Sequence, residues 1–215
     1  MREDHVDITR QARVWTIGDP QNASECWIVC HGYGQLAREF ITDFEKIAAP
    51  HRCIIAPEGL HRFYIDQPPA PANTRRVAAT WMTREDRKTD IEDYVAYLDR
   101  AYDKYVVSGA KVRVLGFSQG AATVLRWAVL GGQRIDQLIL WAGEVPPDLP
   151  PLNKPDQHVP HLLYVRGTRD QYLSDDVLQQ HLRKLKSWGC QLVEFDGGHR
   201  LDDHTLAQIA DTAVP

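Results

Sequence analysis

The sequence predicts an α/β fold in which a mostly parallel central sheet is covered by helices on both faces. Short apolar runs recur along the chain, and segments with helical spacing separate them. Runs of four or five apolar residues that end at Gly, Pro or Asp behave as strands buried on both faces, as in a parallel sheet. Their alternation with helical segments over nearly the whole length is the pattern of consecutive βα units.

Val14-Trp15-Thr16-Ile17 supplies an early edge strand. The buried-strand runs are Cys26-Trp27-Ile28-Val29-Cys30, Cys53-Ile54-Ile55-Ala56, and Val112 with Val114 and Leu115. They continue with Leu138-Ile139-Leu140-Trp141, Leu162-Leu163-Tyr164-Val165, and Leu192-Val193 with Phe195. Between them, Leu36, Phe40, Phe44, Ile47 and Ala48 make one helical stripe, closed by Pro50. Ile91, Val95, Leu98 and Tyr102 make a second, with Thr83 and Asp86 as its start signal. Val124, Leu125, Ala128 and Val129 form a third that ends at Gly131-Gly132. Leu178, His181, Leu182 and Leu185 form a fourth, opened by Ser174 and closed at Gly189. Leu206, Ile209 and Ala210 suggest a short terminal helix.

Composition narrows the class. The chain has 215 residues, 43% hydrophobic and 25% charged, with a net charge of −4. A chain of this length can bury one sizeable core without staples or metals. Disorder is excluded by the apolar content, and a collagen-like chain by glycines without a period. The mild acidity argues against a nucleic-acid partner. Arg84, Arg87 and Lys88 alternate with Glu85 and Asp86 and form a solvated helix face. Four cysteines without a C-x-x-C pair give no disulfide scaffold and no zinc site. The histidines show no metal-binding spacing, so no metal is expected. The polar start lacks a secretory h-region, and no stretch reaches membrane-spanning length. The expectation is a single domain over residues 1–215, cytoplasmic, without integral membrane association. Whether it is a monomer or a homodimer stays open.

Two connectors are long. Residues 57–80 hold Pro57, Pro68, Pro69 and Pro71 with Arg62, Phe63 and Tyr64. Residues 142–160 hold Pro146, Pro147, Pro150, Pro151, Pro155 and Pro160. Long ordered loops in a compact domain are often functional, so both are candidate walls of a site.

The most informative stretch is Gly116-Phe117-Ser118-Gln119-Gly120, a G-x-S-x-G pattern between an apolar strand and a helical stripe. That strand–turn–helix setting is what a nucleophile elbow requires. The serine sits on a tight, strained turn, and glycines two residues either side remove collisions with strand and helix. The backbone N–H of Gln119 then lies at a helix start, placed to donate to a developing oxyanion. A second donor is expected from the loop after an earlier strand. His31-Gly32-Tyr33-Gly34 supplies it, with the Tyr33 N–H as the donor and His31 packed beneath.

A serine hydroxyl needs a base, and on such a fold the chain order is Ser, then Asp or Glu, then His. Asp170 follows one strand run within Gly167-Thr168-Arg169-Asp170, and His199 follows another within Asp196-Gly197-Gly198-His199. Both would emerge at the carboxyl ends of parallel strands, where sites form on open α/β sheets. His199 would take the Ser118 proton, and Asp170 would hold the second ring nitrogen. Glu144 is a competing acid and His204 a competing base.

These motifs resemble the α/β-hydrolase superfamily. Cys30-His31-Gly32-Tyr33-Gly34, Gly116-Phe117-Ser118-Gln119-Gly120 and Gly197-Gly198-His199 look like its phospholipase/carboxylesterase branch, which includes the acyl-protein thioesterases. Ala56-Pro57-Glu58-Gly59, followed by Tyr64 and Asp66, is similar to that branch as well. The resemblance implies a compact serine hydrolase without cofactor, acting on carboxylic esters or thioesters, and the short, proline-broken segment between the Leu140 and Leu162 runs leaves no room for a large cap domain. It carries over Ser118, Asp170 and His199 as the triad, with Tyr33 and Gln119 as backbone oxyanion donors. Gln171-Tyr172-Leu173 departs from the branch, where Val-Pro often follows the acid; so does Tyr33, at a position that is often smaller and aliphatic. The expected partner is a small-molecule ester or acyl substrate, with Phe63, Tyr64, Trp81 and Trp141 as candidate pocket aromatics. The rival classes are a non-catalytic binding protein on this fold, and a peptidase or acyltransferase using the same three residues.

Overall fold

The computed structural model describes residues 1–66, 69, 71, 73–150 and 160–214. Pro68, Pro151 and Pro155 of the two connectors lie outside the described residues. A seven-stranded sheet runs through the chain: β1 (Val14–Ile17), β2 (Glu25–Cys30), β3 (Arg52–Pro57), β6 (Lys111–Phe117), β7 (Gln137–Trp141), β8 (His161–Gly167) and β9 (Gln191–Phe195). Its spatial order is β1-β3-β2-β6-β7-β8-β9. β1 pairs antiparallel with β3, and every other pairing is parallel.

The inner parallel strands are buried at nearly every position because helices cover both faces, whereas the edge strand β9 is largely exposed. Along β2, Cys26, Ile28 and Cys30 enter the core on one face, and Trp27 and Val29 the core on the other. The first core is shared with α2 (Arg87–Tyr105), α3 (Gln119–Leu130) and α4 (Asp175–Leu185). The second is closed by α1 (Ala37–Phe40), the 3₁₀ helix Ile41–Ile47 and α5 (Asp203–Asp211). The expected α/β layering is therefore observed.

Local boundaries follow side-chain chemistry. Ser174 caps α4 by accepting from the Val177 N–H, and Gly189 beyond it takes φ +63°. Asp202 caps α5 by accepting from the Thr205 N–H and hydroxyl. Two expectations are corrected. The stripe from Leu36 to Ala48 is one α-helical turn followed by a 3₁₀ helix. Adjacent β-branched Ile41 and Thr42 disfavour the α form, and the Thr42 hydroxyl bonds back to the Glu39 carbonyl. Residues 57–80 contain a hairpin of β4 (His61–Tyr64) and β5 (Val77–Thr80), which the prolines obscured. In addition, α2 starts at Arg87, after Asp86 in the left-handed region, and Thr83 lies ahead of the helix.

The chain order reverses beside β2: β3 lies on one side of it and β6 on the other. Loops leaving the carboxyl ends of β2 and β6 therefore diverge and leave a crevice, the usual ligand position of an open α/β sheet. Close approach holds this point together. A Cβ on Gly120 would lie 2.2 Å from the Cys30 carbonyl oxygen, and one on Gly116 2.1 Å from the Gly120 oxygen. Gly120→Ala is therefore expected to destabilise the protein by ~1–3 kcal/mol, although alanine favours a helix interior by ~1 kcal/mol. Chemical denaturation checks this; a stabilised variant would contradict the close approach.

Candidate active site

Ser118 sits between β6 and α3 with φ 54° and ψ −117°. A non-glycine residue rarely holds this backbone, and neighbouring contacts fix it. The Ser118 N–H donates to the Trp141 carbonyl at 2.8 Å. Gly143, just past β7, packs so closely that a Cβ there would lie 2.4 Å from the Ser118 carbonyl oxygen. Its neighbour Ala142 also has positive φ, 51°. β7 thus supports the turn from beneath, a role the sequence reading did not assign to Gly143.

His199 Nε2 lies 3.0 Å from Ser118 Oγ, and His199 Nδ1 lies 2.8 Å from Asp170 Oδ2. The Asp170 side chain is fully buried and that of His199 is 19% exposed. An ionised carboxylate can only accept, so Nδ1 carries the proton and Nε2 is left to accept from the serine hydroxyl. Asp170 Oδ1 accepts from the Tyr172 N–H at 2.9 Å. The His199 loop is drawn over the sheet by glycines. A Cβ on Gly167 would lie 2.3 Å from the Gly197 oxygen, and the Arg169 N–H donates to that oxygen at 2.8 Å. The imidazole also contacts two aromatic rings, Phe117 at 5.0 Å and Tyr172 at 4.8 Å between centroids. Glu144 is exposed past β7 and His204 is exposed on α5, whereas Asp170 and His199 are the pair hydrogen-bonded in line with Ser118.

The segments carrying Tyr33 and Gln119 flank Ser118. A Cβ on Gly32 would lie 3.2 Å from Ser118 Cβ. The Gln119 N–H belongs to the first turn of α3, where helical geometry supplies no internal acceptor. The loop after β2 is held by the Gly34 N–H donating to the Ala79 carbonyl and by Gln35 Oε1 accepting from the Gly32 N–H. His31 lies buried beneath it. Its Nε2 accepts from the Gly59 N–H and its Nδ1 donates to the Gly32 carbonyl, so the ring is neutral. Burial pushes this imidazole below its ordinary value of 6.5.

The four candidate pocket aromatics separate. Phe63 stacks on the exposed ring of Tyr33 at 5.3 Å, and Tyr64 is exposed beside it on β4. Trp81 and Trp141 are fully buried and offer no surface to a ligand, which corrects that expectation. Trp81 donates to the His31 carbonyl and Trp141 to the Arg200 carbonyl, so both support loops that frame the site. The Gln119 side chain, unassigned from sequence, ties the 80–82 segment to the elbow. Its Oε1 accepts from the Thr80 hydroxyl and the Trp81 N–H, and its Nε2 donates to the Met82 carbonyl. The loop after β7 is strapped down by Asp148, which pairs with Arg87 at 2.7 Å and with buried Arg126 at 2.9 Å. Among the described residues no group of His, Cys, Asp and Glu side chains could hold a metal ion. Nor is any described helix long and apolar enough to cross a membrane.

A sheet of this order with a strained serine, a histidine and a buried aspartate at its carboxyl edge defines a serine hydrolase of the α/β-hydrolase fold. A family model described as "Serine hydrolase (FSH1)" matches residues 27–205, and the chain belongs to this family. The fold is shared with solved structures of low identity. Esterase PE8 is 19% identical with a TM-score of 0.69, over 94% of this chain and 97% of that one. Acyl-protein thioesterase 2 of Zea mays is 16% identical with a TM-score of 0.67, over 93% and 96%. The Bacillus cereus carboxylesterase is 15% identical with a TM-score of 0.63, over 93% and 92%. A search of curated proteins returns no match.

A second buried histidine, His181, bonds the hydroxyl of Tyr164 and the Val145 N–H, and burial lowers its pKa as well. Both His31 and His181 fold as neutral rings, so below about pH 6.5 these two rings bind more protons in the unfolded chain than in the folded one. Stability is therefore complete above that pH and lost as pH falls. Thermal midpoints should be level above about pH 7 and drop towards about pH 5, with a shallower drop in His181→Asn. A midpoint constant over this window would contradict both assignments.

Proposed function

We propose that this serine hydrolase is a single-domain enzyme that cleaves carboxylic esters or thioesters of small-molecule acyl substrates through an acyl-enzyme. Ser118 Oγ attacks the carbonyl carbon as its proton passes to His199 Nε2. The oxyanion accepts from the Tyr33 and Gln119 N–H groups, and the imidazolium is stabilised by Asp170. Collapse breaks the bond to the leaving alcohol or thiol, which takes the proton from His199. Water then repeats the sequence and releases the acid. No cofactor enters any step.

The observation that carries this reading is the continuous chain from Ser118 Oγ through His199 to Asp170, at 3.0 and 2.8 Å. A hydroxyl, an acceptor nitrogen and a fixed tautomer are what general-base activation requires. The choice of ester or thioester over amide draws support from the neighbours, whose names describe an esterase, a carboxylesterase and an acyl-protein thioesterase. The free thiols of all four cysteines fit a reducing, cytoplasmic setting.

Turnover of p-nitrophenyl esters of increasing acyl length tests the proposal. The native protein should hydrolyse members of the series, and Ser118→Ala should lower kcat by about 10³-fold or more. Hydrolysis undiminished in Ser118→Ala would overturn the assignment of the nucleophile. Cleavage of matched amides at the rate of the esters would replace an esterase with a peptidase.

A further inference from the structure

Tyr172 is among the most exposed large side chains of the protein, at 70% exposure, yet both its main chain and its ring are tied to the candidate site. Asp170 divides its carboxylate between two partners: Oδ2 faces His199 Nδ1, and Oδ1 accepts from the Tyr172 N–H at 2.9 Å. One buried carboxylate therefore sets where the imidazole stands and where the tyrosine main chain stands. The next residue, Leu173, is buried and fastens the turn to the core. From this anchored position the Tyr172 ring forms a T-shaped pair with His199, at 4.8 Å and an interplanar angle of 72°. Phe117 also touches the imidazole, at 5.0 Å and 45°. Among the described residues the Tyr172 hydroxyl makes no hydrogen bond, so the ring is the part in use.

We propose that Tyr172 is a positioning residue, whose ring holds the His199 imidazole in line with Ser118 Oγ and screens its Nδ1–H bond from water. The inference rests on the proposed role of His199. During acyl transfer this imidazole must take a proton from Ser118 and hand it to the leaving group without turning about its Cβ–Cγ bond. Hydrogen bonds at the two nitrogens fix the ring only while both partners are in place, and the bond to Ser118 is lost once the acyl-enzyme forms. A second aromatic ring packed against the imidazole restrains it in that interval, because this contact does not depend on the serine proton. Edge-to-face pairs at this separation are favourable. The Tyr172 ring thus stands between solvent and an imidazole that is itself 19% exposed.

The test compares native protein with Tyr172→Phe and Tyr172→Ala, and with Ser118→Ala as control. Tyr172→Phe should keep kcat within about twofold, and Tyr172→Ala should lower kcat about tenfold, ~1.4 kcal/mol, with KM little changed. Unchanged kcat in Tyr172→Ala would overturn the proposal, as would an effect confined to KM, which marks a substrate contact. A loss in Tyr172→Phe equal to that in Tyr172→Ala would assign the effect to the hydroxyl and also overturn it. A second readout needs no turnover. The His199 Nδ1–H proton resonance should broaden by water exchange in Tyr172→Ala and stay sharp in Tyr172→Phe; a resonance equally sharp in both contradicts the screening. Absence of ester turnover in the native protein would count against the proposed function alone, with this resonance still deciding the role of Tyr172.

Discussion

The structure depends on one close backbone approach. β6 turns into α3 so tightly that Gly116 and Gly120 nearly touch, and Gly120 in turn lies against the end of β2. The residue at the apex, Ser118, is left with positive φ, at a cost of order 1–3 kcal/mol. That conformation lasts because the surroundings over-determine it. The Trp141 carbonyl takes its N–H, Gly143 packs under its carbonyl, and Gly32 packs beside its Cβ. Three parallel strands thus meet at one residue. The same approach sets the start of α3 against the end of β2, so the loop that follows β2 packs beside Ser118.

The remaining parts of the site are delivered by strands β8 and β9, and the surrounding loops are locked by hydrogen bonds and ion pairs. Asp170 leaves β8 and His199 follows β9, and the two loops are joined through Gly167, Arg169 and Gly197. Gln119 fastens the 80–82 segment to the elbow through its side chain while its main chain begins α3. Asp148 fastens the loop after β7 to α2 and α3 through Arg87 and Arg126. Burial raises the cost of the Asp148 charge, but the two guanidiniums outweigh it and hold its carboxyl below the usual range. The strap is therefore charged on both sides at neutral pH. The segments around the elbow are fixed by polar clamps, and the core beneath is apolar on both faces of the sheet.

What could be read from the sequence was set by how local each constraint is. Parallel strands were legible because burial on both faces leaves continuous apolar runs such as Cys26–Cys30. The elbow was legible because a clash at two fixed offsets demands glycine at two fixed offsets. Asp170 and His199 were legible only through chain order, since their meeting is a property of β8 and β9 lying side by side. The 3₁₀ form after α1 was not legible, because Leu36, Phe40, Phe44 and Ile47 fit a spacing of three or four equally, and only the fold shows Ile41 buried and Ala48 exposed. The β4–β5 hairpin was hidden by a proline-bearing connector between its strands. Trp81 and Trp141 were misplaced because an aromatic near a motif gives no sign of which way it faces. Tyr172 was visible only as a departure from a family pattern; its contact with His199 depends on the fold.

The central claim is that the elbow presents a serine activated by its histidine. Mass mapping of a fluorophosphonate adduct tests it most directly, on the native protein and on His199→Ala. The account predicts one adduct in the native protein, on Ser118, and its near loss in His199→Ala although Ser118 is still present. Labelling at another residue, or equal labelling of Ser118 without His199, would contradict it.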